Sequence, residues 1–302
     1  MRESRINIEM SDGAVLSVRC CYAANRPRIL IGHGNGFSVN AFAQLVDSVA
    51  TWGSVLAIDL RNHGLSSRYK LEAHTQARLR LDMIEVIDHF DKVFGPAPTY
   101  GLFHSLSGLH ALYAELNKPN RFRRLVLIEP PVSPPPTHNL HNRQIAAQIS
   151  LVEATQRRRD RFSSIEEMVD RLRDRPRFQY LSLQALQNYC GGVLRKEGKN
   201  WILHCSKKVE SAGYENNLDD GFFSLLPSIA IPVLLLSSDV DSLVQDLTND
   251  LVQHAGFDSH QVSDSTHLMP MEIPETVSTI SRDYFGKDVE FCSKAPRTDL
   301  YK

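Results

Sequence analysis

Thr99-Tyr100-Gly101-Leu102-Phe103-His104-Ser105-Leu106-Ser107-Gly108-Leu109-His110-Ala111-Leu112 is the stretch that decides the fold. Apolar residues lead into His104-Ser105-Leu106-Ser107-Gly108, and helical spacing (Leu109, Leu112, Tyr113, Leu116) leads out. A strand that stops at a serine and turns at once into a helix holds that hydroxyl clear of the sheet. The helix start behind it offers unpaired backbone N–H groups and a positive dipole end. A nucleophile and the negative charge it creates both need such a place, so Ser105 is the candidate nucleophile. The competing reading is a small residue in a tight strand–helix turn.

Outward from this stretch, strands and helices alternate. Residues 6–10 and 15–20 read as a hairpin around Asp12-Gly13. Ile29-Leu30-Ile31 is a short buried strand ending in Gly32-His33-Gly34-Asn35-Gly36-Phe37. Residues 41–49 have helical spacing, and the strand at 55–58 is closed by Asp59-Leu60-Arg61-Asn62-His63-Gly64. Residues 79–94 predict an amphipathic helix with Leu81, Ile84, Ile87 and Phe90 inward, and a strand at 125–128 follows the Ser105 helix. Strands apolar throughout, alternating with helices, predict an α/β fold with a mostly parallel sheet covered on both faces.

The pattern breaks at Glu129-Pro130-Pro131-Val132-Ser133-Pro134-Pro135-Pro136, where prolines forbid continued helix or central strand. Residues 131–228 read as a helical, highly charged block that includes Arg157-Arg158-Arg159-Asp160-Arg161, a run that reads first as a solvated helix face. Alternation returns at Pro232-Val233-Leu234-Leu235-Leu236, with a helix over 243–254, a strand over 259–262, a closing helix over 274–285 and a loose tail. The expected division is a core in two parts, 1–130 and 229–302, around the inserted block 131–228.

The composition is that of an ordinary globular protein: 302 residues, 42% hydrophobic, 23% charged, formal net charge -1. Such a balance gives no electrostatic reason to expect nucleic acid as a partner. No apolar run approaches the roughly 20 residues of a membrane span, and no apolar segment stands behind Met1-Arg2-Glu3-Ser4-Arg5, so no signal peptide is expected. Cys20, Cys21, Cys190, Cys205 and Cys292 are odd in number and lack metal-type spacing, which predicts reduced thiols, a cytoplasmic setting and no metal. No cofactor is expected, and the partner is a small-molecule substrate.

A serine hydroxyl needs a base, and a base needs an acceptor to orient it. His267 stands in the loop after the last strand, on the sheet edge shared with Ser105. Asp239, Asp241 and Glu129 all lie near that edge. The acid must extend beyond its strand and reach back, which selects Asp241 over Asp239, while Glu129 is a relocated alternative. The order Ser, Asp, His is one used by hydrolytic triads. For the oxyanion, the N–H of Leu106 is one donor, and the loop Gly34-Asn35-Gly36 brings a second, that of Asn35. Gly34, Gly36, Phe37 and His104 fall beside these groups and are expected to bind substrate, whereas His33 and Asp59 read as structural.

Together these residues resemble the α/β-hydrolase superfamily. The matching signatures are His33-Gly34-Asn35-Gly36-Phe37, Asp59-Leu60-Arg61-Asn62-His63-Gly64-Leu65-Ser66, the Ser105 elbow, Pro232 to Leu236 with Asp241, and His267 with Pro274-Glu275. The resemblance covers residues 6–130 and 229–286, and it implies that the block 131–228 is a helical lid. Trp201-Ile202-Leu203-His204-Cys205, with Glu210 and Tyr214, resembles one branch of lidded hydrolases. The sequence departs from the usual Gly-x-Ser-x-Gly elbow at Phe103 and Ser107. What the resemblance implies is a serine hydrolase cleaving an ester, lactone or thioester of a small to medium apolar substrate. Two other readings remain at this stage: a dinucleotide-binding oxidoreductase, on Gly32 to Gly36 and Asp59, and a non-catalytic ligand-binding protein on the same fold.

Overall fold

The structure, a computed structural model, describes residues 2–23, 25–215 and 221–288; Cys292 and the tail read as loose lie outside the described residues. The chain opens with β1 (Arg2–Glu9) and β2 (Val15–Tyr22), antiparallel around the Asp12-Gly13 turn. Alternation follows through β3 (Arg28–Gly32), α1 (Ala43–Ala50), β4 (Ser54–Ile58), α2 (Gln76–Phe94), β5 (Thr99–His104), α3 (Leu106–Asn117) and β6 (Arg124–Ile128). An insertion then carries α4 (His141–Arg157), β7 (Arg161–Phe162), α5 (Ile165–Arg173), α6 (Leu183–Val193), β8 (Leu194–Glu197), β9 (Asn200–Leu203), α7 (Lys207–Glu215) and α8 (Phe222–Leu225). The chain closes with β10 (Val233–Ser238), α9 (Ser242–Ala255), β11 (Asp258–Val262), α10 (Met269–Glu272) and α11 (Pro274–Phe285).

The main sheet has the order β1-β2-β4-β3-β5-β6-β10-β11. Only the β1–β2 and β2–β4 pairings are antiparallel; every pairing from β4 across to β11 is parallel. β3, β4, β5 and β10 are buried at every residue, as strands covered on both faces must be. Alternate side chains feed two cores. Ile29, Ile31, Tyr100, Leu102, Leu234 and Leu236 pack under α1 and α11, whereas Leu30, Phe103, Leu125, Leu127, Val233 and Leu235 pack under α2, α3 and α9. The shared direction of the strands brings the ends of β3, β5, β6, β10 and β11 to one edge, where this class of sheet binds ligands.

Two expectations need correction. α2 starts three residues earlier than the apolar spacing implies, at Gln76, because the Thr75 hydroxyl accepts the Arg78 N–H as an N-cap. Its buried stripe is Leu79, Met83, Val86, Ile87 and Phe90, while Leu81 is 47% exposed. The insertion is not purely helical, since it holds a second, antiparallel sheet of order β7-β9-β8. The apolar ends of β8 and β9, Leu194 and Leu203, pair and bury together, and the turn at Gly198-Lys199 closes their hairpin. Arg68 donates to the carbonyls of Leu203 and His204, and His204 Nε2 donates to Ser66 O at 2.9 Å, tying the insertion to the loop after β4. Among the described residues no helix is long and apolar enough to cross a membrane.

Candidate active site

Ser105 sits between β5 and α3 with φ 52° and ψ -122°, a backbone conformation costly for any residue but glycine. From Gly101 to His110 every residue is buried except Ser105 itself. Its N–H donates to Ile128 O at 2.8 Å, which fixes the elbow to the end of β6. The next residue, Glu129, is a second strained non-glycine, at φ 45°. Unusual dihedrals on adjacent strand ends mark a place that the surrounding structure over-determines.

Phe103 and Ser107 stand where the usual elbow has glycines, and the structure shows what makes room. A Cβ on Gly101 would lie 2.3 Å from the Phe103 ring, and one on Gly32 would lie 2.8 Å from that ring and 2.7 Å from Ser107 Cβ. The small residues have moved to neighbouring positions: one along the same strand, one across the β3–β5 pairing opposite Phe103. Gly101→Ala should therefore destabilise the fold by about 1–3 kcal/mol through overpacking. In a Phe103→Ala background that loss should shrink, and equal losses in both backgrounds, measured by urea unfolding, would contradict this packing account.

His267 Nδ1 lies 2.6 Å from Glu129 Oε2, and Glu129 Oε1 accepts the Ser238 N–H at 2.8 Å. The Glu129 side chain is 3% exposed and that of His267 38% exposed, so the pair runs from the core toward the open edge. Burial alone would raise the Glu129 carboxyl, but the hydrogen bonds from His267 and Ser238 outweigh it and hold the group below its ordinary value. An ionised carboxylate only accepts, so His267 donates to it from Nδ1. The His267 loop is pinned from α10, where Glu272 accepts from both Thr266 N–H and Thr266 Oγ1. It is also pinned from the elbow: His104 Nε2 donates to His267 O at 2.9 Å, and the two rings lie 4.5 Å apart.

The structure does not bring Asp241 to His267, which corrects the choice made from the sequence. Asp241 is exposed and caps α9, its Oδ1 accepting from Leu243 N–H (2.9 Å) and Val244 N–H (3.2 Å). An Asp just before an apolar helical run is an N-cap signal, and here that function claims the side chain. Asp239 accepts the Asp264 N–H at 3.1 Å. The residue placed against His267 is Glu129, held beside Ser105 by the β5–β6 pairing.

The loop after β3 approaches the elbow closely. A Cβ on Gly34 would stand 3.0 Å from Ser105 Cβ and 2.8 Å from His104 Nδ1, so only glycine fits there. Asn35 is anchored by its Nδ2, which donates to Glu210 O at 2.7 Å. Leu106 begins α3, where helix geometry leaves its N–H without an intrahelical acceptor. The Gly36 N–H is already given to His63 Nε2 at 3.0 Å. Phe37 and His104, expected to bind substrate, are 5% and 1% exposed; their rings pack together at 5.5 Å, and they support the loop and the elbow.

His33 and His63 bridge the loops around the site. Each donates from Nδ1 to a backbone carbonyl (Gly34 O, Arg61 O) and accepts a backbone N–H at Nε2 (Leu60, Gly36), an arrangement open only to a neutral ring. Burial pushes both pKa values down, that of His63 well down; it also takes His74 to about 4 and His110 to about 3. The unfolded chain binds these protons near the ordinary value of 6.5 and the folded chain does not. Their stabilisation is thus complete above 6.5 and is lost as the pH falls toward about 4 for His74. Each such histidine should cost about 1.4 kcal/mol per pH unit in that window. Urea midpoints should hold level above about pH 6.5 and fall steadily from there to about pH 5, and a flat series across the lower range would contradict the neutral assignments. Asp59, which a dinucleotide site would turn toward a ribose, is buried and accepts the Val39 and Leu65 N–H groups instead.

Residues 27–272 match the family described as the alpha/beta hydrolase fold. Among solved structures, E-2-(acetamidomethylene)succinate hydrolase aligns with a TM-score of 0.77 at 17% identity, covering 94% of this chain and all (100%) of that one. A thioesterase domain from the curacin biosynthetic pathway aligns at 0.74 and 17% identity, covering 93% and 99% of the two chains. A peroxisomal alpha-beta-hydrolase from Saccharomyces cerevisiae aligns at 0.73 and 16% identity, covering 99% of this chain and 91% of that one. The sheet order, the strained serine elbow and the extent of the family match carry one conclusion: the chain belongs to the alpha/beta hydrolase fold family.

Proposed function

We propose that this member of a hydrolase family cleaves an ester, lactone or thioester through an acyl-enzyme formed on Ser105. The observation that carries the reading is the 2.6 Å bond between His267 and a buried Glu129, one residue past the carbonyl that anchors the strained Ser105 elbow. Ser105 Oγ attacks the carbonyl carbon as His267 Nε2 takes its proton. Glu129, kept ionised, orients the ring through Nδ1 and stabilises the imidazolium that forms. The oxyanion is received by the N–H groups of Leu106 and Asn35. His267 returns the proton to the leaving group, and water then attacks the acyl-enzyme by the same route.

The insertion acts as a lid over the strand edge that carries these residues. Cys20, Cys21, Cys190 and Cys205 are free and buried, which supports a reducing, cytoplasmic setting. The test is turnover of a panel of p-nitrophenyl esters, lactones and acyl thioesters by the whole chain. Saturable hydrolysis of at least one class is expected, and none across the panel would overturn the reading.

A further inference from the structure

A cavity of about 270 Å³ opens inside the insertion, between α4, α5, α6 and α7. Apolar side chains form part of its wall, Met168 and Phe178 among them, but the charged part of the lining is markedly one-sided. Arg158 pairs with Glu210, the one acidic side chain among the described lining residues. Arg171, Arg175 and Arg177 also line the cavity; among the described residues none of them makes an ion pair with a carboxylate, and Arg177 acts on Glu210 only through its field. Arg171 and Arg177 lie in the last turns of α5 and of the short 3-10 turn Pro176–Phe178, where a cation is favoured, but Arg175 stands between the two and has no such reason to be there. Like charges around one concavity repel unless an anion joins them, and guanidinium forks match carboxylate and phosphoryl oxygens.

The cavity adjoins the catalytic loop. Glu210 O accepts from Asn35 Nδ2, and a Cβ on Gly36 would lie 2.8 Å from Glu210 Oε1. Tyr189, another lining residue, packs 5.8 Å from Phe37, which in turn packs on His104. The floor of the cavity is therefore the rear of the loop that approaches Ser105.

Resting on the hydrolase reading above, we propose that this cavity binds an anionic terminus of the substrate, a carboxylate or a phosphoryl group, through Arg171, Arg175 and Arg177. The Arg158–Glu210 pair is a positioning element that shapes the floor. The preferred substrate is then an acyl compound with an apolar chain and a charged end, which modifies the small to medium apolar substrate expected from the sequence.

The test compares the p-nitrophenyl monoester of adipic acid with p-nitrophenyl hexanoate, using the wild type and the double variant Arg175→Gln/Arg177→Gln. Both arginines are exposed, so the variant should fold. The wild type should prefer the anionic ester by about tenfold or more in kcat/KM, and the double variant should lose about tenfold more on it than on hexanoate. Equal kcat/KM for the two esters, or equal losses on both, overturns the proposal. A second arm separates it from the hydrolase reading: calorimetric titration of Ser105→Ala with adipate and with hexyl phosphate. Binding of either, weakened in Ser105→Ala/Arg175→Gln/Arg177→Gln, supports the anion site even if neither ester is turned over, and the tighter of the two identifies the group. No binding of either overturns it even if hexanoate is hydrolysed.

Discussion

Ser105→Ala is expected to lower kcat by about 10⁶ with the fold intact. The size follows from the way the site is built. Without Oγ there is no group to form the acyl-enzyme, and His267 and Glu129 keep their 2.6 Å bond with nothing to activate. Residual rate should come only from binding and from the oxyanion donors, at roughly 10³–10⁴ over water. Ser105 makes its elbow contact to Ile128 through the backbone N–H, which alanine retains, so stability should change little. Near-normal kcat in a folded Ser105→Ala protein would remove Ser105 from the mechanism.

Glu129→Gln is expected to cost about 10⁴ in kcat, the size seen when a triad acid is changed to its amide. Glutamine can still accept the Ser238 N–H through an oxygen, but it presents an N–H to His267 Nδ1. The ring must then carry its proton on Nε2, where it cannot act as a base toward Ser105. Asp241→Asn and Asp239→Asn should stay within about tenfold of the wild type, a change of roughly 1.4 kcal/mol in the barrier. Asparagine caps a helix nearly as well as aspartate, so Asp241→Asn should leave stability almost unchanged too. A silent Asp241→Asn beside an active Glu129→Gln would return the acid to the later strand.

Much of the architecture was legible because parallel strands covered on both faces cannot hide. Ile29 to Ile31, Leu125 to Ile128 and Val233 to Leu236 are apolar runs without alternation, and each sits in the sheet as read. The elbow was legible from the abrupt change of period at Ser105, and the loop after β3 from its glycines: the side-chain space of Gly34 is in fact filled by His104 and Ser105, and that of Gly36 by Glu210. The contact of Glu129 with His267 was legible only as an alternative, because Asp241 satisfies two local rules at once: an acid a short turn after a strand, and an N-cap before a helix. Only the strand order separates them. β6 lies between β5 and β10, so its last residue is next to the nucleophile, and Glu129 also receives the β10 Ser238 N–H. The insertion's small sheet escaped for a related reason: β7 has two residues and β8 and β9 four each, too short for a period to declare itself.

The cost of Phe103 at the elbow was also out of reach of local reading. Its compensation lies in Gly101 and Gly32, one of them on another strand and visible only once the register Gly32 opposite Phe103 is known. Likewise the run Arg157-Arg158-Arg159-Asp160-Arg161 reads as a solvated face in sequence, and only the folded insertion places Arg157, Arg158 and Arg159 around one cavity with Arg171, Arg175 and Arg177.

The central claim is that Ser105 is activated by the His267–Glu129 pair, and the most direct measurement is covalent labelling with a fluorophosphonate. Intact mass of the whole chain should rise by one adduct, peptide mapping should place it on Ser105, and Glu129→Gln should slow labelling strongly while Asp241→Asn does not. No adduct on the folded protein, or an adduct that persists at full rate in Ser105→Ala, would contradict the account.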